Sequence, residues 1–96
     1  MITLTPAAVE SIRGQADGGE DEPVCLRVAA RLEAGGEVAY GLGFDEPRAG
    51  DTEITAGGVV LLVAPASREL LEDVILDYRE VEPGAFRFVF ARASAP

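Results

Sequence analysis

Histidine, lysine and tryptophan are absent from this 96-residue sequence, and cysteine occurs once, at Cys25. Without histidine the chain lacks the commonest general base and the commonest transition-metal ligand. A single thiol excludes an internal disulfide, and with no histidine beside it no Cys/His zinc site can be assembled within one chain. Positive charge is scarce too: eight arginines face seventeen aspartates and glutamates, for a formal charge of −9. Phosphate backbones and anionic membrane surfaces need a local excess of positive charge, so nucleic acid and membranes are not expected partners. No apolar run approaches the roughly 20 residues of a spanning helix. The opening "MITLTPAAVES" has no basic region followed by an apolar one, so the expected location is the cytoplasm.

What the chain does have is enough apolar material to fill a core: 48% of residues are hydrophobic and 26% charged, which sets it apart from disordered sequences. At this length one core is the expectation, and residues 1–96 are read as a single domain. Thr5-Pro6 forms an N-cap followed by proline at the first helical position, so a helix begins there, with Ala8, Val9 and Ile12 on its apolar stripe and Gly14 as its stop. From Val24 to Leu32 the apolar residues alternate. Val24, Leu26, Val28, Ala30 and Leu32 share one face, while Cys25, Arg27, Ala29 and Arg31 share the other. Val38, Tyr40, Leu42 and Phe44 repeat the pattern after Gly35-Gly36, which predicts an antiparallel hairpin around Glu33 to Glu37. Thr52 to Thr55 and the fully apolar Val59 to Val63 predict two more strands, and "PASRELLED" a second short helix with Leu70 and Leu71 facing the sheet. Val74 to Val81 and the run holding Phe86, Phe88 and Phe90 complete the chain, the three rings being expected on one core-facing side. The predicted class is mixed α/β, mainly β, with short, mostly antiparallel strands, an N-terminal helix and a second short helix.

Several residues invite a chemical reading. Asp17, Glu20, Asp21 and Glu22 could offer oxygen ligands to a hard cation, but their spacing does not match an EF-hand loop, and a solvated connection accounts for them. Cys25 and Arg27 share a face two residues apart, an arrangement that lowers a thiol pKa when the groups are close; a small half-buried side chain is the plainer account. Arg27 and Arg31 on the outer face balance the acidic surface or mark the docking site of an acidic partner. No pair of carboxylates sits in an apolar setting that would separate their pKa values for acid-base work, so an enzyme is not predicted.

The order of "MITLTPAAVESI", "LRV", "GG" leading to "YGLGFDEPRAGD", "GVVLLVAPASRELLEDVILDY" and "FRFVF" resembles the A-type iron-sulfur carrier family, also called HesB-type or iron-sulfur assembly accessory proteins. The resemblance spans essentially the whole chain. Its most specific pieces are Tyr40-Gly41-Leu42 with the acidic turn at Asp45 to Pro47, and Leu76-Asp77-Tyr78. It implies a HesB-like domain and a subunit that holds an iron-sulfur cluster or iron through three cysteines and passes it to recipient proteins, as a dimer or higher oligomer. The family's first cysteine falls at Gly35, five residues before Tyr40. The other two lie in a Cys-Gly-Cys segment beyond an Asn-Pro turn, where this sequence reads "VFARASAP" and ends about where that pair is expected to begin.

Thiolates hold such clusters, and neither a glycine nor "ARASAP" offers one. Cys25 lies about ten residues, or roughly 30 Å of extended chain, from Gly35. Glu37 occupies the vacated loop and, with Asp45 and Glu46, is a candidate for a carboxylate iron site; a solvated side chain in a hairpin loop is the plainer reading. The expected function is therefore that of a cluster-free interaction or regulatory relative with no catalytic residue, no bound metal or cofactor, and protein partners from iron-sulfur assembly. The alternative is an iron or cluster handling protein that uses Cys25 across a dimer together with carboxylates.

Overall fold

The computed structural model describes residues 2–15 and 24–92. Its elements are β1 (Thr3–Leu4), α1 (Pro6–Gln15), β2 (Val24–Leu32), β3 (Val38–Phe44), β4 (Thr52–Ala56), β5 (Val59–Val63), β6 (Val74–Glu82) and β7 (Ala85–Arg92). One sheet runs β1-β6-β7 and the other β3-β2-β5-β4. The chain is mainly β with one α-helix, as its alternating patterns predict. Two joins depart from hairpin geometry, because β1 lies parallel to β6 and β2 parallel to β5. The alternation of "VVLLV" is lost because β5 is central and buried, so the sequence does not reveal its neighbours.

Helix α1 starts where the N-cap predicts. The Ala8 amide donates to Thr5 Oγ1 at 3.2 Å, and the Thr5 hydroxyl donates to Asp77 Oδ1 at 2.5 Å. The Thr5 amide donates to the Leu76 carbonyl at 3.0 Å. One residue thus caps the helix and ties it to β6. Ala8 and Ile12 are buried from the helix, and Arg13 Nη1 donates to the Gly57 carbonyl at 3.3 Å. Gly57, at φ +56°, turns β4 into β5 beside the helix; a Cβ there would sit 2.8 Å from Val9 Cγ1, so glycine suits both the backbone conformation and the close approach of the Val9 side chain. The helix runs through Gly14 to Gln15, one residue beyond the expected stop.

The core between the sheets comprises Leu26, Val28 and Ala30 of β2, Val59, Leu61 and Val63 of β5, Val74 and Leu76 of β6, with Ile2, Ala8, Ile12 and Leu71. In place of the second short helix, the chain makes two single 3-10 turns, Pro65–Ser67 and Glu69–Leu71, and only Leu71 is fully buried. The first turn has a purpose. Strand β5 accompanies β2 only from Val24 to Arg27; beyond it, the buried Ser67 hydroxyl accepts from the Ala30 amide at 3.1 Å and donates to the Ala30 carbonyl at 3.3 Å. The hydroxyl thereby takes the place of a neighbouring strand for that residue. The Leu32 and Phe86 expectations are corrected: they are 61% and 55% exposed, because β2 and the β6-β7 hairpin run past the region where the two sheets cover each other.

Ser67→Ala strands both backbone groups of Ala30 in the core and should cost about 1–3 kcal/mol of unfolding free energy. Urea denaturation checks this; a change within the error of the wild-type value would show that the hydroxyl is dispensable.

Candidate functional site

Among the described residues, Cys25, Arg27, Arg31, Gly35 and Glu37 lie on the β2-β3 hairpin, and Asp45 and Glu46 directly follow it. Its antiparallel register pairs Arg27 with Gly43, Ala29 with Gly41 and Arg31 with Ala39 on the outer face, and Val28 with Leu42 and Ala30 with Tyr40 on the inner face. The turn is closed by the Glu33 amide donating to the Glu37 carbonyl at 2.7 Å and the Gly36 amide donating to the Glu33 carbonyl at 3.0 Å. Gly36 adopts φ +87°, which the second glycine of the pair allows. Gly35 and Glu37 are exposed in this turn, and a Cβ at Gly35 would meet nothing within 4 Å. The position therefore has room for a cysteine side chain, but this sequence places no donor there.

Cys25 is half-buried at the other end of β2, where the Asp45 amide donates to its carbonyl at 3.2 Å. It is separated from the Gly35 turn by roughly 26 Å of strand. Glu37 and Asp45 flank opposite ends of β3, so the imagined carboxylate set is not brought together. Among the described residues, no three carboxylates or thiols converge to hold a metal ion. The acidic positions Asp17, Glu20, Asp21 and Glu22 lie outside the described residues.

The structure instead assembles a charge clamp on Arg27. Its Nε donates to Asp45 Oδ2 at 2.6 Å. Its Nη1 and Nη2 fork onto Asp51 at 2.9 and 2.7 Å, and Nη2 also reaches the Glu46 carbonyl at 3.2 Å. Arg48 adds a contact to Asp45 at 3.1 Å and gives its amide to Asp51 at 2.7 Å. The reading of Arg27 as a free surface cation is corrected: its side chain is 16% exposed and that of Asp51 only 3%. The fork geometry of guanidinium and carboxylate explains why an arginine fills the position. Arg31 does remain at the surface, pairing with Glu33 at 3.1 Å.

These contacts set the local electrostatics. The Arg27 hydrogen bond, then the Arg48 amide, holds the Asp51 carboxyl down at about 2; Arg27 and the Glu46 amide lower Asp45. Hydrogen bonds to Asp51 and Asp45 raise Arg27. Asp77, a third carboxyl, is lowered to about 2 by Arg79, the Thr5 hydroxyl and the Tyr78 amide. None of these is a carboxyl poised to exchange a proton near neutrality, so the clamp positions the Asp45 to Asp51 connection and does not perform acid-base chemistry. The roles of Asp51 and Asp77 escaped the sequence reading. The available hints were that two aspartates bracket the loop two residues beyond the Arg27 register, and that a capping threonine has a hydroxyl proton to donate.

Aromatic rings line the inner side. Tyr40 stacks on Phe90 with centroids 4.6 Å apart, and Tyr78 lies 4.9 Å from Phe88 and 5.7 Å from Phe86. Tyr40 and Phe90 link the two sheets at the β3 edge, so the family-like tyrosine has a packing role here.

No family model matches this chain. It is 37% identical over 89 residues to the iron-sulfur cluster insertion protein ErpA of Pseudoalteromonas translucida, covering 92% of this chain and 80% of that protein. Among solved structures, IscA with a 2Fe-2S cluster superposes with a TM-score of 0.79 at 26% identity, covering 99% of this chain and 87% of that one. Escherichia coli SufA, involved in biosynthesis of iron-sulfur clusters, shares the fold at a TM-score of 0.80 and 24% identity, covering 99% of this chain and 82% of that one.

Replacing Arg27 by Met should destabilise the fold more than Arg31→Met, and with a diagnostic pH dependence. The Asp51 carboxyl is depressed from an ordinary 3.8 to about 2, so the stability it lends is complete above about pH 4 and is lost as the pH falls toward 2. The gap in thermal midpoint between wild type and Arg27→Met should therefore narrow across that window. A gap that stays constant would contradict the clamp.

Proposed function

The chain belongs to the A-type, HesB-type iron-sulfur carrier family, and from that premise we propose that it is a cluster-free, non-enzymatic relative that acts through protein contacts. The observation that carries this is Gly35: at the position where the family resemblance implies a ligand thiolate, the hairpin turn is intact, exposed and without a donor side chain. Clusters are held mostly by thiolates, and the thiol this sequence offers, Cys25, lies at the far end of β2 from the Gly35 turn. What is kept is the scaffold: the Tyr40 packing, the clamped loop from Asp45 to Asp51 and the Thr5–Asp77 tie.

In this reading the chain engages the proteins of iron-sulfur assembly as a carrier-shaped partner, modulating them without delivering a cluster. Its acidic surface favours partners with exposed cations.

Anaerobic reconstitution with ferrous iron and sulfide, followed by metal analysis and a visible spectrum, tests the proposal. The expected result is no stoichiometric iron and no sulfur-to-iron charge-transfer band. Stoichiometric iron with such a band would overturn it, and loss of that band in Cys25→Ala would assign the ligand to Cys25.

A further inference from the structure

Resting on the reading that the chain acts through protein contacts, we propose that the free edge of β3 docks an extended segment of a partner protein. The segment adds antiparallel along Val38–Phe44, the more stable direction of pairing, with apolar residues at alternate positions and a cation at each end. Natural edge strands are blunted by charge, proline, bulges or short length. Among the described edges, β4 carries Glu53, β7 carries Arg87 and Arg92, and β1 is only two residues long. By contrast β3 reads "VAYGLGF", with no charge and no proline, and its register with β2 is unbroken over all seven residues.

The hydrogen-bond phase makes the edge usable. The Asp45 amide donates to the Cys25 carbonyl and the Glu33 amide to the Glu37 carbonyl. In an antiparallel ladder, hydrogen-bonded pairs recur every second residue, so Ala39, Gly41 and Gly43 direct their backbone groups toward β2. The N–H and C=O groups of Val38, Tyr40, Leu42 and Phe44 therefore point away from β2, to the side where the sheet ends. The far edge of β2 shows the same phase: Ala30, opposite Tyr40, turns its own N–H and C=O away from β3 and onto the Ser67 hydroxyl.

What surrounds the edge sets the chemistry of its guest. Residues directly opposite in an antiparallel pair share a face, so the guest residues bonded to Val38, Tyr40, Leu42 and Phe44 stand on the inner side. Leu42 and Phe44 are 38% and 53% exposed there, and apolar guest side chains cover them. On the outer side β3 offers only Ala39, Gly41 and Gly43, so the intervening guest residues are free to be polar. Glu37 and Glu46 stand just outside the two ends of β3, both exposed, and neither carboxylate has a partner among the described residues. A cation at each end of the guest meets them. A second copy in the same place would bring its own Glu37 toward Glu46, carboxylate to carboxylate at both ends, on a chain of net charge −9. The occupant is therefore a different, cationic chain.

The probe is a synthetic peptide in which four valines alternate with three threonines and two lysines close each end. Its binding to the wild-type chain, followed by NMR, should slow hydrogen exchange of the Tyr40, Leu42 and Phe44 amides, which are open in the free chain, and leave Gly41 and Gly43 unchanged. Methylating the valine nitrogens, which face β3, should abolish binding; methylating the threonine nitrogens should not. Glutamates in place of the lysines, or Leu42→Lys in the chain, should each weaken binding by about tenfold or more. Circular dichroism confirms that the variant is folded. Metal analysis of the same sample keeps the two readings apart, because a bound cluster overturns the cluster-free function while the edge stands or falls with the peptide. No binding to an iron-free chain, equal binding of the two methylated peptides, or equal binding of the lysine and glutamate peptides would each overturn the proposal. So would protection of Tyr40 and Leu42 in the free chain that grows with its concentration, which would give the edge to a second copy.

Discussion

Strand β2 must satisfy its backbone along both edges while burying one face, and most of the structure follows from how that requirement is met. One edge is taken by β3 along its full length. The other is taken by β5 for four residues and then by the Ser67 hydroxyl. Because Leu26, Val28 and Ala30 fill the core from the inner face, Arg27 is left on the outer face, where it gathers Asp45 and Asp51. A single strand thus sets the hairpin, the tight turn after β5 and the path of the loop between β3 and β4. The balance is typical of a small domain, where each satisfied buried polar group is a sizeable part of a small net stability.

The same requirement separates scaffold from site. The turn at Gly35 lies beyond the last residue of β2, and a Cβ at Gly35 would meet nothing within 4 Å. A ligand side chain can be lost there without loss of the fold, which is why a chain can retain the architecture of IscA and SufA while having a glycine where the family resemblance implies a thiolate. Fold and function are separable in this physical sense: the Gly35 position is exposed, and a side chain there would meet nothing within 4 Å.

Much of this was legible in the sequence. Thr5-Pro6 marked the helix start, alternation from Val24 to Leu32 marked the inner and outer faces, and Gly35-Gly36 marked the turn between β2 and β3. Alternation reports which residues share a face, but not what lies over that face. It could not tell that Leu32 and Phe86 outrun the opposing sheet, or that Arg27, at an outward position, is enclosed by a loop 18 to 24 residues away. The fully apolar β5 carried no period to show that its neighbour runs parallel. The expected second helix takes the form of two 3-10 turns, at Pro65 and Glu69, and the bond from Ser67 to Ala30 is a long-range contact invisible in local propensity.

The central claim is that the family scaffold persists here without its cargo. Native mass spectrometry of the chain purified anaerobically from cells making iron-sulfur proteins reads this most directly. The account predicts masses of the bare polypeptide, alone or paired. A species that carries iron and inorganic sulfide in whole-number ratio to the chain would contradict it.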